Sequence, residues 1–171
     1  GMAAISTLLE CLPNGARLLI PDDCYTGLRM FCAEYLPERN IEAVMVDMSD
    51  LDAVRTACNL HTALVWIETP SNPKMKICDI AALVEIAHAA GALTVVDNTY
   101  CTPYLQRPLE LGADFVIHSA TKYLGGHGDL LARLVVWIPA RLTAAEKKQL
   151  EELGRSDSMK PGKPGRNFTD R

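Results

Sequence analysis

The sequence lacks the features of a membrane protein or a nucleic-acid-binding protein. No apolar run reaches the roughly 18 residues that a membrane-spanning helix needs. The net charge of −4 is spread over 171 residues without long blocks of one sign, which gives no electrostatic reason to expect nucleic acid or an anionic membrane as a partner. No secretory signal is recognisable. We therefore expect a soluble, cytoplasmic protein.

Common metal and nucleotide motifs are also absent. The six cysteines form no Cys-x-x-Cys pair and most lie in apolar segments, so we expect buried free thiols in a reducing compartment rather than disulfides or a metal site. No G-x-G-x-x-G or Walker motif occurs. One alternative, a non-enzymatic α/β module that binds a nucleotide phosphate at Gly1, is therefore poorly supported. The cysteines are Cys11, Cys24, Cys32, Cys58, Cys78 and Cys101.

What the sequence does have is a regular alternation of strand and helix patterns. Hydrophobic residues make up 49% of the chain, enough for one domain with a core. The alternation is typical of an α/β fold with a mostly parallel sheet and helices on both faces. The predicted strands are residues 17–20, 43–46, 63–67, 93–96, 115–117 and 134–138. The predicted helices are residues 2–12, 26–36, 80–90 and 105–111, one from a cap at Ser49 to about Cys58, and one that starts at a capping box from Thr143 to Glu146 and ends near Leu153.

The end of the chain differs in composition from the rest. Residues 154–171 are rich in proline, glycine and basic side chains and have few large apolar groups. Such a segment cannot bury enough surface to offset the entropy of ordering. We expect a disordered tail, with an RNA-binding tail as the less favoured alternative.

The stretch from His118 to Asp129 follows a predicted strand and combines hydroxyls, a lysine and several glycines. Ligands collect outside the carboxyl ends of strands in open α/β sheets. A lysine amine whose pKa is lowered is a nucleophile that forms a Schiff base with a carbonyl. A lone lysine is more often an ordinary surface residue. Ser119 and Thr121, just before Lys122, favour the chemical interpretation.

Other polar residues follow the remaining predicted strands. Tyr25 lies at a strand-to-helix junction, where an aromatic ring can stack on a planar ligand or pack on the edge of the core. Glu68 and Asn72 lie in a proline-rich loop, where they face a ligand or serve ordinary turn chemistry. Asp97 ends a buried strand, so it either caps the next turn or holds a cation in the cleft. Gly1 opens the first predicted helix, whose free amides suit a phosphate, although most helix N-termini bind only water.

These residue types together match the requirements of pyridoxal phosphate. This cofactor needs a lysine for the imine, an acid on the pyridinium nitrogen, an aromatic ring over its own ring, and amides and hydroxyls around its phosphate. The acid matters most, because a protonated ring nitrogen preserves the electron sink that stabilises a carbanion at the substrate's α-carbon. The residues that fit are Gly1, Tyr25, Asn72, Asp97, Ser119, Thr121 and Lys122.

Five segments resemble the trans-sulfuration family of pyridoxal-phosphate enzymes of cysteine and methionine metabolism. They are residues 1–4, 23–25, 65–73, 97–99 and 119–124, and the likeness extends over residues 1–153. The resemblance implies that residues 1–153 are a fold-type-I aminotransferase-like large domain that is incomplete. It also implies γ-elimination or γ-replacement on a small sulfur amino acid, as in cystathionine γ-lyase or γ-synthase, by a homo-oligomer that is a tetramer of active dimers.

The resemblance also implies a role for each site residue. Lys122 would be the imine lysine and would shuttle the α- and β-protons, and Asp97 would pair with the pyridine nitrogen. Tyr25 would stack on the ring and assist proton transfer. The remaining implied cofactor-binding residues are Gly1 and Met2 through their amides, Ser119 and Thr121 through their hydroxyls, Asn72 near the ring's 3-oxygen, and Thr99 in the adjoining turn.

Family members also have parts that are not among these residues. One is a preceding segment whose tyrosine and arginine reach the phosphate of the neighbouring subunit, and another is a C-terminal domain whose arginine holds the substrate carboxylate. We therefore expect the chain to be the central part of a longer protein, and a catalytically inactive fragment is one alternative. Methionine γ-lyase, weakly favoured by Gly128, and cystathionine β-lyase are others. Arg133, where relatives have glycine, is expected to crowd the packing after the lysine loop.

Overall fold

The computed structural model describes residues 1–126 and 128. The chain divides into two compact units, Gly1–Ile138 and Pro139–Arg171, and the described residues all belong to the first. The predicted strand at residues 134–138, the helix that ends near Leu153, the tail at residues 154–171 and the expected crowding at Arg133 lie outside the described residues. The boundary between residues 153 and 154 stays a prediction.

The described part is built on five parallel strands in the order β2-β1-β3-β4-β5. Each predicted strand in this region lies within one residue of an observed one at both ends, which confirms the predicted parallel α/β fold. The continuous apolar runs were a reliable guide because parallel strands covered on both faces need no polar side. The strands are β1 (Arg17–Pro21), β2 (Glu42–Val46), β3 (Thr62–Glu68), β4 (Leu93–Asp97) and β5 (Phe115–Ile117).

Helices cover both faces of this sheet. They are α1 (Met2–Glu10), α2 (Thr26–Glu34), α3 (Leu51–Ala57), α4 (Ile80–Ala89) and α5 (Thr102–Leu105). On one face α1 and α2 pack on the side chains of Leu18, Leu64, Trp66 and Val95, and on the other face α3 and α4 pack on Leu19, Val65, Ile67 and Val96. Successive strand residues point to opposite faces, so the two cores share the same strands.

Two local predictions about helices were wrong. Residues 105–111 do not form one helix, since the chain is extended at Gln106 between the short α5 and a 3-10 turn at Pro108–Leu111. Proline has no amide hydrogen and disfavours helical geometry in the residue before it, which breaks the helix here. The cap of α3 is Asp50 rather than Ser49: Asp50 accepts from two backbone amides, while the Ser49 hydroxyl donates to Asp47.

The cysteines are free thiols whose exposure varies. Cys24 and Cys32 are buried, whereas Cys11 is exposed, so the expectation of burial was wrong for Cys11. Burial raises the pKa of both the Cys24 and the Cys32 thiol to about 12. Because the thiolate is the reactive form, the raised pKa makes these two side chains unreactive towards alkylating reagents, and burial also keeps such reagents away from them.

We therefore expect stepwise alkylation of the native protein. Iodoacetamide at pH 8 should modify Cys11 within minutes and leave Cys24 and Cys32 unmodified until denaturant is added, as followed by peptide mass spectrometry. Equal modification of the three residues under native conditions would contradict the packing described above.

None of the described helices has the length and hydrophobicity to cross a bilayer.

Candidate functional site

The candidate site lies at the carboxyl edge of the sheet, where the strand order changes direction. After β1 the chain first adds β2 on one side and then β3 on the other, and such a switch point leaves a crevice outside the strand ends. A cavity of about 240 Å³ lies at this edge. It is lined by Gly1, Ile5, Tyr25, Glu68, Asn72, Asp97, Thr99, Tyr100, Ser119, Thr121 and Lys122.

Two larger grooves lie elsewhere and are less suited to chemistry. One, of about 590 Å³, runs between α3 and α4, and the other, of about 630 Å³, lies along α2 and β2. Neither lies at the carboxyl ends of the central strands, and neither brings a lysine together with a buried acid. We therefore place the candidate site in the smaller cavity, on chemical grounds rather than on size.

Asp97 is held by a short relay of hydrogen bonds at the end of β4. Its Oδ1 atom accepts from the Thr99 amide at 3.0 Å and from the Thr99 hydroxyl at 2.5 Å. The same hydroxyl accepts from the Ser119 amide at 2.8 Å. Asp97 thus caps the turn that follows it, as one prediction had it. Within residues 1–126 and 128 its second oxygen, Oδ2, has no hydrogen bond, and Asp97 lines the cavity, so this oxygen is free to accept a hydrogen bond.

Lys122 and Tyr25 lie together on another wall of the cavity. Lys122 follows β5 in a tight turn, and its Nζ atom lies 5.5 Å from the centroid of the Tyr25 ring. An ammonium over an aromatic face at this distance is attracted by the ring quadrupole. No ion pair to Lys122 occurs in the described part of the chain. The amine is therefore held by an aromatic ring and is not neutralised by a carboxylate there.

A cluster of donors lies at the start of α1. The Ser119 and Thr121 hydroxyls are 3.3 Å apart. A Cβ atom added to Gly1 would lie 3.4 Å from the Ser119 Oγ atom, so the Gly1 backbone approaches this hydroxyl closely. Helix α1 has no side-chain cap at its N-terminal end. The Gly1 nitrogen donates to the His118 carbonyl oxygen at 3.4 Å. The first-turn amides of a helix, the positive end of its dipole and two hydroxyls together favour an anion.

Glu68 is a second acid in the cavity wall, and it is buried. Its Oε2 atom accepts a hydrogen bond from the Tyr25 amide at 2.9 Å. Burial raises the pKa of the Glu68 carboxyl to about 7; the neighbouring Asp97 and Asp23 raise it further, while the Tyr25 amide and Lys122 lower it. The carboxyl therefore changes its ionisation near neutral pH.

The loop that carries Asn72 is fixed by a buried acid. The Asp23 Oδ2 atom accepts from the Ser71 hydroxyl and, at 2.9 Å, from the Lys74 amide. Lys76 closes the other end of the loop, since its Nζ atom lies 3.0 Å from Asp22 and 2.7 Å from Asp47. These contacts tie the loop to the ends of β1 and β2 and hold Asn72 at the cavity.

Comparison with known protein families identifies the family of this chain. Residues 1–160 match the model of the family described as Cys/Met metabolism PLP-dependent enzyme. The chain belongs to this family. The resemblance on which the sequence-based expectations were built is therefore confirmed, and the cofactor of the family is pyridoxal phosphate.

Individual relatives in the family are similar over most of this chain. It is 46% identical to an L-methionine gamma-lyase of Pseudomonas putida over 154 residues, and this aligned region covers 90% of this chain and 39% of the relative. It is 46% identical over 136 residues to a cystathionine gamma-lyase of Bacillus subtilis, which covers 80% of this chain and 36% of that relative.

Solved structures of the family also have this fold. The crystal structure of cystathionine gamma-lyase from Lactobacillus plantarum complexed with L-serine superposes with a TM-score of 0.74 at 40% identity, over 76% of this chain and 34% of the other. The chain thus spans less than two fifths of the length of each of these three relatives.

The residues of the cavity fit pyridoxal phosphate. An acceptor of the Asp97 carboxylate is available, as a protonated ring nitrogen requires, and the Lys122 amine lines the same cavity. Gly1 lies close to the Ser119 hydroxyl, and that hydroxyl lies beside the Thr121 hydroxyl, so donors that a phosphate requires are grouped at the start of α1. This donor set supports the family's cofactor at this site.

The structure brings together all but one of the predicted site residues. Met2 does not line the cavity, and its Sδ atom lies instead beside Gly27 and the Tyr25 ring. Ile5 and Tyr100 line the cavity without having been predicted, and Glu68 was considered only as a turn residue or ligand contact. A usable signal existed for two of them: Glu68, like Asp97, is the last residue of a buried strand, and Ile5 follows Gly1 by one helical turn.

Proposed function

We propose that the chain is the cofactor-binding part of an enzyme that uses pyridoxal phosphate for γ-elimination or γ-replacement on a sulfur amino acid. The observation that carries the proposal is the convergence of the Lys122 amine and the Asp97 carboxylate on one cavity with Tyr25 as its aromatic wall. The family's cofactor needs a lysine and an acid at its two ends. Membership of the family supports the reaction class.

The cofactor, when bound, supplies an electron-withdrawing ring that stabilises negative charge at the substrate's α-carbon. Asp97 Oδ2 would accept a hydrogen bond from the protonated ring nitrogen and keep that nitrogen charged. The Tyr25 ring would pack on the face of the bound group and exclude water from that side. Lys122 Nζ accepts the proton from the substrate's α-carbon and donates a proton where the leaving group departs.

The remaining predicted residues orient the bound group. The hydroxyls of Ser119 and Thr121 would donate to its phosphate, as would the backbone nitrogens of Gly1 and Met2 that the family resemblance implies, and Asn72 would donate to the ring's 3-oxygen. Thr99 acts through Asp97, because its hydroxyl and amide both donate to the carboxylate. Because Asp97 Oδ1 is thereby occupied, Oδ2 would be the oxygen that pairs with the ring nitrogen.

The proposal extends to the whole protein. We propose that the whole protein is a cytoplasmic homo-oligomer, a tetramer of active dimers. We also propose that residues 1–153 form the cofactor domain and that a separate tail follows it. The identity to the methionine gamma-lyase and to the cystathionine gamma-lyase is the same, 46%, so substrate choice among these reactions is left to assay with cystathionine and with methionine.

The test is to map where the cofactor becomes attached. The protein is incubated with pyridoxal phosphate, reduced with sodium borohydride, digested and analysed by peptide mass spectrometry. We expect the adduct on Lys122, an absorption band at the blue edge of the visible before reduction, and loss of both in Lys122→Ala. Lys74→Ala is the matched control, since Lys74 is an exposed lysine away from the cavity lining. An adduct spread over surface lysines, or a Lys122→Ala variant that stays yellow, would refute the assignment.

A further inference from the structure

Glu68 occupies a central position that the proposed chemistry does not use. It is the last residue of β3 and pairs in register with Asp97, the last residue of β4, so two carboxylates stand side by side at the same edge. Only 5% of the Glu68 residue is exposed. Burying an ionisable carboxyl group beside another carboxylate costs free energy of folding unless a hydrogen bond or opposite charge offsets that cost.

The compensating contact is with the backbone of Tyr25. The Tyr25 amide donates to Glu68 Oε2 at 2.9 Å, across 43 residues of sequence. Tyr25 is the N-cap residue of α2, and its side chain makes no capping bond. The hydrogen bond from the Tyr25 amide to Glu68 therefore anchors the junction between β1 and α2. It also sets the place from which the aromatic ring projects into the cavity.

We propose that Glu68 is a positioning residue that holds the Tyr25 backbone and thereby fixes the aromatic wall of the site. The proposal rests on the proposed function only in taking that wall as the surface against which the cofactor packs. The hydrogen bond itself is a property of the chain without cofactor.

The surroundings of Glu68 make this anchor responsive to pH. Besides Asp97 on β4, it faces Asp23 and Cys24 in the loop after β1 and Lys122 after β5. Burial is the largest cause that raises the pKa of Glu68 to about 7. An ionised carboxylate accepts a shorter and stronger hydrogen bond than a neutral carboxyl. The anchor is therefore tighter above this pH than below it.

The Tyr25 amide resonance reports this bond directly. In the cofactor-free protein we expect the Tyr25 amide proton to move downfield as the pH rises, with a midpoint near 7. In Glu68→Gln, which keeps the shape and an acceptor oxygen, the midpoint should disappear. A Tyr25 amide that does not titrate, or one that titrates equally in Glu68→Gln, would overturn the proposal.

Charge variants test the cause of the shift. Asp97→Asn removes a neighbouring negative charge and should lower the midpoint, whereas Lys122→Ala removes a positive charge and should raise it. Asp114→Asn is the control, because Asp114 pairs with His88 and Thr94 and does not line the cavity. A midpoint that stays fixed in both charge variants, or moves as far in Asp114→Asn, would contradict the stated surroundings of Glu68.

Stability gives a second readout with a fixed sign. The folded state binds the Glu68 proton more tightly than the unfolded chain, whose reference pKa is 4.5. The contribution of this group to stability is therefore full below pH 4.5 and is lost as the pH rises to about 7. Glu68→Gln should flatten that part of the stability profile, and a profile that keeps the wild-type slope would contradict the proposal.

Cofactor binding separates this proposal from the proposed function. We expect pyridoxal phosphate to bind about tenfold more weakly to Glu68→Ala, which loses the acceptor, and with nearly wild-type affinity to Glu68→Gln at a pH below 7, where the wild-type carboxyl is also neutral. Equal affinities for these two variants, with Lys122 still labelled in both, would overturn the positioning role alone. A wild-type protein that titrates at Tyr25 but takes no label on Lys122 would instead refute the proposed function.

Discussion

Replacing Asp97 by asparagine is expected to lower the turnover of the cofactor-loaded enzyme by about 10- to 100-fold while Lys122 still takes up the cofactor. Asparagine has nearly the same shape, and its oxygen can still accept from Thr99. It cannot hold a proton on the ring nitrogen by charge. A hydrogen bond to a charged group contributes about 1.5–3 kcal/mol, and each 1.36 kcal/mol is about a tenfold change in rate.

Asp114→Asn is a closely matched control for this experiment. Asp114 is also a partly buried acid that accepts from a threonine, with the Thr94 amide at 2.7 Å and the Thr94 hydroxyl at 2.8 Å. It does not line the cavity. Its replacement should cost stability and leave the turnover of the folded enzyme nearly unchanged. Equal losses of turnover in the two variants would show that removal of any such acid impairs the enzyme, and Asp97 would then have no special role.

The sheet could be predicted from sequence because its physics is local. Each strand is a short, nearly continuous apolar run. In a chain where such runs alternate with amphipathic helices, a buried parallel strand is the structure that the pattern favours. The edge that holds the site followed from the same reasoning, since residues after parallel strands meet at one edge of the sheet. Tyr25, Asp97 and Lys122 were found in this way, and all three line the cavity.

The contacts between distant segments could not be predicted. Nothing near Glu68 in sequence indicates that its carboxyl bonds the Tyr25 amide, because that contact depends on how β3 and the loop after β1 come together. The wrong cap at α3 has a similar cause. Ser49 and Asp50 are both good capping residues, so intrinsic preference does not decide which of them caps α3. The Ser49 hydroxyl donates to Asp47 instead, and Asp50 is the cap.

Gly27 is the clearest case of a residue whose role is visible only in three dimensions. It lies in the first turn of α2, where alanine is intrinsically favoured over glycine by up to about 1 kcal/mol. A Cβ atom at this position would lie 2.4 Å from the Tyr25 Cε1 atom and 2.6 Å from the Met2 Sδ atom. The absence of a side chain therefore lets the Tyr25 ring lie close against the helix.

Gly27→Ala is expected to displace the Tyr25 ring and to weaken the binding of pyridoxal phosphate by about tenfold or more. Overpacking of this kind costs about 1–3 kcal/mol, which outweighs the gain in helix propensity. The measurement is the dissociation constant of the cofactor, with helix content followed by circular dichroism. Thr26→Ala, an exposed position in the same helical turn, is the matched control and should bind as the wild type does.

A double-mutant cycle assigns the Gly27→Ala effect to the ring. In a Tyr25→Ala background the added methyl group no longer meets the ring, so Gly27→Ala should then change the cofactor affinity little. Met2→Ala removes the second close contact and should restore part of the affinity, because the ring gains room to move aside. If Gly27→Ala weakened binding by the same factor with and without the Tyr25 ring, its effect would come from the helix backbone, and the close packing of Gly27 against Tyr25 would have no part in the site.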